Sequence, residues 1–329
     1  MSVVIPNWNG WTHLHGCLAA LQAQTYRDFE VIVVDNGSAD ESVAQVRAHF
    51  PEVRLVCLPE NRGFAEGCNA GISAAQGDFI VLLNNDTLVD PEWLAALSLA
   101  TQIHTEYDMW ACRVVLADQP EVLDSAGDGL TIAGAPFKRG HLEPAEDYRV
   151  GQEVFGPSGS AALYRKALLD TLGGLDADFF LIHEDVDLAW RARLAGARCW
   201  YVPNAVVQHK VNASLGYLSW TYVFYGQRNL EYLFVKNMPT FLLLRCLPAH
   251  ILFNLFAWGH FSLHGYGLTF LHAKGAAAWN LRQLWRKRRE VQSQRQVATR
   301  DVLGLMQRRW IGGKLRMAKY DRVRKKATS

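Results

Sequence analysis

Two short apolar runs, Glu30–Asp35 and Asp78–Asn84, constrain the fold most, because their hydrophobic residues are consecutive and do not alternate with polar ones. A strand with this pattern is covered on both faces, as in a parallel sheet flanked by helices. Two further runs, Ser2–Asn7 and Arg54–Leu58, are also typical of strands. The sequence therefore predicts an α/β fold with right-handed crossovers between neighbouring strands.

Helical patterns fill the gaps between these strands, at Trp11–Ala23, Ser42–His49 and Phe64–Ala75. A fourth helix is predicted to begin at Asp90, a favourable N-cap, with Pro91 in the first helical position. In a parallel sheet of this kind, ligands bind beyond the carboxyl ends of the strands. The polar residues that follow each strand are therefore the first candidates for a functional site.

The alternation of strands and helices continues less regularly in the second half of the chain. Strands are predicted at Met109–Leu116, Ser160–Tyr164 and Arg198–Val202. Helices are predicted at Arg165–Leu172 and Asp185–Ala195. We expect one α/β domain to extend from the start of the chain to residue 232.

A helical region that associates with membranes is predicted over residues 233–329. The segment Cys246–Ala273 lacks Lys, Arg, Asp and Glu and is long enough to cross a bilayer. Helix-breaking residues interrupt it, namely Pro248, Gly259, Gly265 and Gly267, so we predict in-plane or re-entrant helices in preference to a span. Farther on, Ala277–Arg289 has Trp and Leu on one face and Arg on the other, which is typical of an interfacial helix.

The formal net charge of +2 conceals an uneven distribution of charge. Residues 281–329 carry 16 basic and 3 acidic side chains, whereas the preceding 280 residues have a net charge of −11. A strongly basic segment attached to an acidic body predicts a polyanionic partner, either nucleic acid or an anionic membrane. The adjoining apolar segment favours the membrane.

The glycines and cysteines exclude several classes of protein. Gly63, Gly67 and Gly71 are spaced by four, unlike the dinucleotide fingerprint, and no P-loop occurs. We interpret these glycines as sites of close packing between a helix and the sheet. The six cysteines form no metal-binding pair, and the N-terminus shows no secretory signal, so buried, reduced thiols in a cytosolic protein are expected.

Polar clusters end three of the predicted strands, at Asn7-Trp8-Asn9, Asp35-Asn36-Gly37-Ser38 and Asn84-Asn85-Asp86. An unpaired carboxylate at the end of a buried strand is costly, so Asp35 is predicted to have a ligand or a fixed hydrogen-bond partner, or to cap the Ser38–Ser42 turn. Asp86 can hold a divalent cation if a diphosphate supplies further oxygens, or it can cap the next helix.

A separate cluster of three acids follows His183 at the start of a predicted helix. Glu184 and Asp185 are candidates for a general base, whereas Asp187 is interpreted as an ordinary first-turn acid. His209 lies beyond the last predicted strand. By itself, a lone histidine is more often structural than a ligand.

Seven segments in order resemble bacterial family 2 glycosyltransferases, particularly their rhamnosyltransferase-like branch. They are SVVIPNWNG, VDNGSAD, ENRGFAEGCNAGI, LLNNDT, GPSGSAALYRKALLDTLGGLDADFFLIHEDVDLAWRARLAG, VPNAVVQHK and YGQRNLEYLFVKNMP, covering about residues 2–240. The resemblance implies the GT-A fold, a Rossmann-like mixed sheet with flanking helices. It also implies a nucleotide-diphosphate sugar donor and inversion at the anomeric carbon.

The resemblance also implies roles for individual residues. Asp185 would be the catalytic base, with Glu184 nearer the acceptor. Asp86 matches the last position of the metal-binding DxD motif, and His209 matches a histidine of the metal shell, for Mg²⁺ or Mn²⁺. Asn84 stands where the first aspartate of that motif is expected, which leaves one carboxylate there. The nucleotide-binding residues implied are Pro6, Asn7, Asn9, Asp35, Asn61, Arg62, Asn69, Asn85 and Asp86.

These observations predict an inverting glycosyltransferase at the cytoplasmic face of the plasma membrane, peripheral or monotopic. The expected partners are a nucleotide-diphosphate sugar, a lipid-linked glycan acceptor and an anionic membrane surface, with no nucleic acid. Rhamnose is the sugar that the resemblance alone favours. Two alternatives remain open: a non-catalytic subunit that binds nucleotide sugars, and a nucleic-acid-binding protein that uses the basic segment.

Overall fold

A computed structural model of the protein describes residues 1–210 and 218–307. The last part of the predicted basic segment, residues 308–329, lies outside the described residues. The strands are β1 (Ser2–Asn7), β2 (Glu30–Asn36), β3 (Arg54–Leu58), β4 (Phe79–Leu83), β5 (Thr87–Val89), β6 (Met109–Leu116), β7 (Gln119–Ser125), β8 (Asp128–Thr131), β9 (Pro136–Lys138), β10 (Gln152–Val154), β11 (Ala161–Arg165), β12 (Cys199–His209) and β13 (Met306–Gln307).

Eleven α-helices are present in the described residues, together with short 3₁₀ turns at Ala145–Tyr148 and Ala177–Phe179. The helices are α1 (Trp11–Gln22), α2 (Ser42–His49), α3 (Gly63–Ala74), α4 (Trp93–Ile103), α5 (Lys166–Leu172), α6 (Glu184–Leu194), α7 (Trp220–Asn237), α8 (Thr240–Leu263), α9 (Gly267–Trp279), α10 (Leu281–Ser293) and α11 (Thr299–Gly304).

The main sheet confirms the predicted α/β fold. Its strand order is β10-β12-β6-β11-β4-β1-β2-β3, with β5 and β7 pairing beside β12 and β6. The run from β4 through β1 and β2 to β3 is parallel, whereas β11 is antiparallel to both of its neighbours. A small second sheet has the order β13-β8-β9.

Consecutive apolar residues in β2 face opposite sides of this sheet. Val33 belongs to a core that packs against α1 and α4, whereas Ile32 and Val34 belong to a core on the α3 side. Both cores are fully apolar at this strand, which is why the sequence shows no alternation there.

Gly71 allows α3 to approach the sheet closely. A Cβ atom on Gly71 would lie 2.2 Å from Cγ1 of Val4 and 3.0 Å from Cγ2 of Val34. A Cβ atom on Gly67 would touch Cβ of Pro6 at 3.4 Å. The interpretation as a packing glycine is confirmed for Gly71, whereas a Cβ atom on Gly67 would make an ordinary contact and one on Gly63 would meet Phe180, outside the sheet.

Two predicted boundaries are wrong. Helix α4 begins at Trp93 and not at Asp90, because the Asp90 carbonyl and carboxylate accept the N–H groups of Trp93 and Glu92 in a turn. Strand β12 runs from Cys199 to His209, well beyond Val202. Its pairing with β6 shifts between Val202 and Val206, and that irregularity accommodates an internal proline.

Helix α8 also departs from the prediction, because it continues through Pro248 and Gly259 without a break. The helix ends at Leu263, before Gly265, which has a φ of +85°. In the described part of the chain it is the one helix long and apolar enough to cross a membrane. Of its most apolar stretch of 18 residues, 28% is buried.

The C-terminal helices share a core with the α/β half of the chain. The predicted domain boundary at residue 232 falls inside α7. Trp190 of α6, Tyr232 of α7 and Leu284 of α10 belong to one buried cluster. Residues after 232 therefore complete the packing of α6.

The predicted interfacial helix at Ala277–Arg289 is corrected in two respects. It consists of the end of α9 and the start of α10, which meet at Asn280. One of its basic side chains, Arg288, is 3% exposed and donates to the carbonyls of Val235 and Met238. Arg288 therefore packs against α7 of the same chain and does not belong to an exposed polar face.

Five of the six cysteines are buried, as expected. Cys57 is the exception, because it lies exposed on β3, the edge strand of the main sheet. Burial raises the pKa of both Cys17 and Cys112 to about 12, so these thiols remain protonated at neutral pH.

Candidate active site

The parallel strands bring two of the predicted polar clusters to one edge of the sheet, at the ends of β1 and β2. Asp35 is 4% exposed, and its Oδ2 accepts a hydrogen bond from the backbone N–H of Ser38 at 3.1 Å. Its Oδ1 is buried and has no hydrogen-bond partner among the described residues. One oxygen therefore caps the turn, and the other remains available to a ligand.

Asn7 and Asn85 meet at this edge. Nδ2 of Asn85 donates to Oδ1 of Asn7 at 2.8 Å, and Nδ2 of Asn7 is buried without a hydrogen-bond partner in the described chain. A Cβ atom on Gly10 would lie 2.2 Å from Nδ2 of Asn85, so any larger residue there would displace this amide. Pro6 lies beneath, buried in β1 against Gly67.

Asn9 connects the loops that follow β1 and β2. Its φ of +49° is left-handed, and its Oδ1 accepts the backbone N–H groups of Ala39 and Asp40 at 2.7 and 3.3 Å. Its own N–H donates to Oγ of Ser38 at 2.9 Å. Asn9 therefore shapes the rim of the edge through its side chain.

Asn36, which the sequence analysis did not single out, organises the loop that carries Asn61 and Arg62. Its Nδ2 donates to Oδ1 of Asn61 at 3.2 Å and to the Gly63 carbonyl at 2.9 Å, and its Oδ1 accepts the Arg62 N–H. The Arg62 side chain is half exposed, 3.9 Å from a carboxylate oxygen of Glu60.

Asn69 is placed differently from the other predicted nucleotide-binding residues. Its Nδ2 donates to the Leu175 carbonyl at 2.8 Å, and its Oδ1 accepts the Leu175 N–H at 2.9 Å. The backbone of Leu175 therefore engages both ends of this amide.

Glu184 and Asp185 form the first turn of α6. Oδ2 of Asp185 accepts the N–H of Gly159 and Oδ1 accepts the N–H of Val186, both at 2.8 Å. Glu184 is 6% exposed, and its Oε2 has no hydrogen-bond partner in the described residues. The two carboxyl groups thus differ in how well their charged forms are stabilised.

That difference separates their pKa values. Burial raises the pKa of Asp185, and the N–H groups of Gly159 and Val186 partly offset the rise. Burial and then the charge of Asp185 raise the pKa of Glu184 well above its ordinary value. Asp185, whose charged form accepts two backbone N–H groups, is consequently the stronger candidate for a base.

Asp187 is not the ordinary first-turn acid that the sequence predicted. It is fully buried, and its carboxylate lies 2.8 Å from Nε of Arg191 and 2.7 Å from Nζ of Lys236. Nδ2 of Asn237 donates to it as well, at 2.8 Å. The group belongs to a structural ion-pair network beneath the candidate base.

The turn that precedes these carboxylates has an unusual backbone. Phe180, Ile182 and His183 have φ values of +64°, +68° and +73°, and none of them is glycine. Such conformations cost of order 1–3 kcal/mol each and persist only when their surroundings enforce them. Burial, with the charge of Lys274, lowers the pKa of His183 to about 4, so this N-cap residue is neutral at pH 7.

Asp86 and His209 are brought together, as predicted for metal ligands. Oδ1 of Asp86 lies 3.4 Å from Nε2 of His209 and makes no hydrogen bond to the described residues. When two ligand atoms each lie about 2.0–2.2 Å from one ion, the distance between the two atoms is close to the one seen here, so this pair fits a divalent cation. In the described chain no third His, Cys, Asp or Glu joins them, which leaves the other coordination positions to a diphosphate.

Asp124 is a site residue that the sequence analysis missed. Its Oδ2 lies 2.9 Å from Nδ1 of His209, and it also pairs with Lys138 and His141. Although burial opposes ionisation, Lys138 and these hydrogen bonds hold the pKa of Asp124 well below its usual range. A carboxylate on Nδ1 keeps a proton there and leaves Nε2 free to face an ion.

We predict that this site binds Mn²⁺ weakly alone and more tightly with inorganic pyrophosphate, because the described residues supply only two ligands. Asp86→Ala should weaken the affinity for Mn²⁺ by ~10- to 100-fold, and His209→Ala should weaken it less severely. Electron paramagnetic resonance of free Mn²⁺ measures both. Asp28→Asn, at the other edge of the sheet, is the control, and equal affinities in all four proteins would contradict the assignment.

Comparisons with known proteins agree with this geometry. The profile of the family described as "Glycosyl transferase family 2" matches residues 2–173, just over half of the chain. An N-acetylglucosaminyl-diphospho-decaprenol L-rhamnosyltransferase of Mycobacterium tuberculosis is 27% identical over 251 residues, 66% of this chain and 78% of the relative. A pre-mycofactocin glycosyltransferase from the same species is 32% identical over 64% of this chain and 42% of its own length.

Two solved structures share the fold. A mannosyltransferase of Pyrobaculum calidifontis in complex with GDP-Man and Mn²⁺ has a TM-score of 0.54 at 19% identity, covering 89% of this chain and 84% of its own. Residues 1–349 of S. aureus TarS with UDP-GlcNAc have a TM-score of 0.55 at 18% identity, covering 84% and 80%. The expected GT-A fold is confirmed, and the chain belongs to glycosyl transferase family 2.

Proposed function

We propose that this glycosyltransferase moves a sugar from a nucleotide-diphosphate donor to a hydroxyl of a lipid-linked or polysaccharide acceptor, with inversion, in the synthesis of a cell-surface glycan. The observation that carries the proposal is the carboxylate of Asp185, which the N–H groups of Gly159 and Val186 hold at the start of α6, next to the buried Glu184 and at the edge that binds ligands in this fold. A non-catalytic subunit would have no need of a carboxylate held in this way.

Unsatisfied polar atoms at the sheet edge support the donor site. Nδ2 of Asn7, Oδ1 of Asp35 and Oδ1 of Asp86 are all buried without hydrogen-bond partners among the described residues. Buried polar groups are normally hydrogen-bonded, so a polar ligand is expected to satisfy these. A nucleoside diphosphate has the donors, acceptors and charge to do so.

The proposed reaction assigns the proton to Asp185. Its carboxylate removes the proton from the acceptor hydroxyl while the hydroxyl oxygen attacks the anomeric carbon. The new bond forms on the face opposite the diphosphate, the bond from the anomeric carbon to the diphosphate oxygen breaks, and the configuration inverts. In this proposal Glu184, the next residue along α6, lies nearer the acceptor.

A divalent cation held by Asp86 and His209 would neutralise charge that develops on the leaving diphosphate. Asp124 orients His209 for this purpose. Lys138, paired with Asp124, also lowers the pKa of Asp185, because its positive charge favours the carboxylate.

The named relative supports the finer assignment of donor and acceptor. It is a rhamnosyltransferase that acts on a diphospho-decaprenol-linked sugar, according to its name. We propose deoxythymidine-diphosphate rhamnose as the donor and a sugar on a prenyl diphosphate as the acceptor.

Exposed apolar residues on α8 support attachment to the membrane that carries such an acceptor. The side chains of Leu244, Ile251 and Leu255 are 68%, 51% and 57% exposed. Exposed arginines of α10 lie on a neighbouring helix, at 282, 286 and 289. Apolar insertion and attraction to anionic lipid together supply the two signals that stable peripheral binding needs, here proposed at the cytoplasmic leaflet.

The pH dependence of transfer tests the base. Because the pKa of Asp185 is raised, kcat/KM should fall as the pH drops through a value above 3.8, where the carboxylate becomes protonated. Asp185→Asn should lower transfer by at least ~10²-fold at every pH while donor binding survives. Glu184→Gln should keep an acid limb, because Asp185 remains in place as the base. Near-normal turnover by a folded Asp185→Asn protein would exclude this role.

A donor panel tests the substrate class. With Mn²⁺ present, deoxythymidine-diphosphate rhamnose should bind more tightly than UDP-GlcNAc or GDP-mannose, by ~10-fold or more, since polar complementarity discriminates between sugars. Titration calorimetry measures affinity, and nuclear magnetic resonance of the product shows whether the anomeric configuration inverts. Binding without transfer to any prenyl-diphosphate-linked sugar would favour the non-catalytic alternative.

Vesicle flotation tests the membrane surface. The triple substitution of Leu244, Ile251 and Leu255 by Ser should reduce binding to anionic vesicles by at least ~10-fold, because three large apolar groups no longer insert. High salt should release the unsubstituted protein only partly. The matched control replaces Leu99 and Ile103 on α4, which are 56% and 62% exposed. Equal flotation of both variants would refute attachment through α8, and salt-sensitive DNA binding would favour the nucleic-acid alternative.

A further inference from the structure

The segment YGQRNLEY of α7 lies against the left-handed turn that precedes the candidate base. Asn229 is 0% exposed. Its Nδ2 lies 2.9 Å from the carbonyl oxygen of Phe179, 2.8 Å from that of Leu181 and 2.7 Å from that of Ile182. The amide group of one side chain therefore contacts three carbonyl oxygens of the same turn.

The orientation of this amide is fixed by its neighbours. Oδ1 of Asn229 accepts a hydrogen bond from Nε of Arg228 at 3.0 Å. Nη2 of the same arginine donates to the carbonyls of Asp178 and Phe179, at 2.8 and 2.9 Å. Rotating the amide by half a turn would place its oxygen against three carbonyl oxygens, which none of these contacts permits.

The opposite side of the turn is held by α3. The Phe180 carbonyl accepts the N–H of Ala65 at 3.3 Å, and a Cβ atom on Gly63 would lie 2.5 Å from Phe180. The turn is thus enclosed between the helix that follows the candidate nucleotide loop and the helix that carries Asn229.

The consequence concerns where α6 begins. His183 is the N-cap of α6, and its φ of +73° sets the direction in which the helix leaves the turn. Glu184 and Asp185 follow immediately. If the turn relaxed to ordinary backbone angles, both carboxyl groups would move relative to the sheet edge.

We propose that Asn229 is a positioning residue for the catalytic carboxylates, holding the left-handed turn at residues 180–183 so that Asp185 faces the reacting sugar. This proposal rests on the base role proposed for Asp185.

Two substitutions of Asn229 test the proposal in the full-length protein. Asn229→Leu keeps the approximate size and removes both donors, whereas Asn229→Ser keeps one hydroxyl donor. Asn229→Leu should lower kcat by ~10- to 100-fold, since a displacement of about 1 Å at a reacting group has effects of that size. Asn229→Ser should lose less, and the affinity for the nucleotide-sugar donor should stay within ~3-fold in both, since strands β1 and β2 are untouched.

The matched control is Asn280→Ala. Nδ2 of Asn280 donates to the Tyr232 hydroxyl at 2.6 Å, so this change also removes an asparagine hydrogen bond to α7 but leaves the hydrogen bonds of Asn229 to the turn in place. It should reduce kcat by less than ~2-fold at a comparable loss of thermal stability.

Two further measurements separate positioning from general stability. In Asn229→Leu, amide hydrogen exchange should accelerate locally over residues 180–187, and the acid limb of kcat/KM should shift because the surroundings of Asp185 change. Unchanged kcat and an unchanged acid limb in folded Asn229→Leu, or in Asn229→Ser if the leucine variant does not fold, would overturn the proposal. Full activity of Asp185→Asn would instead overturn the proposed base.

Discussion

The ammonium group of Lys236 lies 2.5 Å from the carboxylate of Asp176 and 2.7 Å from that of Asp187, and only 1% of its side chain is exposed. Lys287 pairs with the far side of Asp176 and Arg191 with the far side of Asp187, so charges of alternating sign form a chain. Removing one member of such a buried set leaves an uncompensated charge, at about 3–5 kcal/mol. The network ties α6, α7 and α10 together, and both ends of the 177–183 segment depend on it.

The sequence predicted most of the α/β architecture because the relevant signals are local. Consecutive apolar residues identified β2 and β4, and Gly71 identified close packing. The errors concern the first residue of one helix and two prolines that regular elements accommodate. Pro248 has no N–H group to donate, yet it lies inside the 24-residue helix α8. Strand β12 accommodates its proline where its register against β6 shifts.

The candidate site divides in the same way. Asp35, Asp86 and Asp185 end strands or begin a helix, positions that sequence patterns and the family resemblance both identify. Asp124 and Asn229 escaped notice because each acts on a group far away in the chain, at separations of 85 residues to His209 and of 47 to 50 residues to the turn. Hydrogen bonds between distant segments leave no periodicity or spacing in the sequence, so only the folded chain reveals them.

The burial of Arg288 has a consequence for the order in which the chain matures during synthesis. Its guanidinium closes the end of α7 by binding the carbonyls of Val235 and Met238. A nascent chain can pair β1 to β4 early, but this closure must wait until α10 has emerged from the ribosome. The donor edge therefore forms from the first hundred residues, whereas the segment bearing Asp185 receives its last supports nearly two hundred residues later. The packing around Asp185 is therefore completed late, after the apolar surface of α8 is already outside the ribosome.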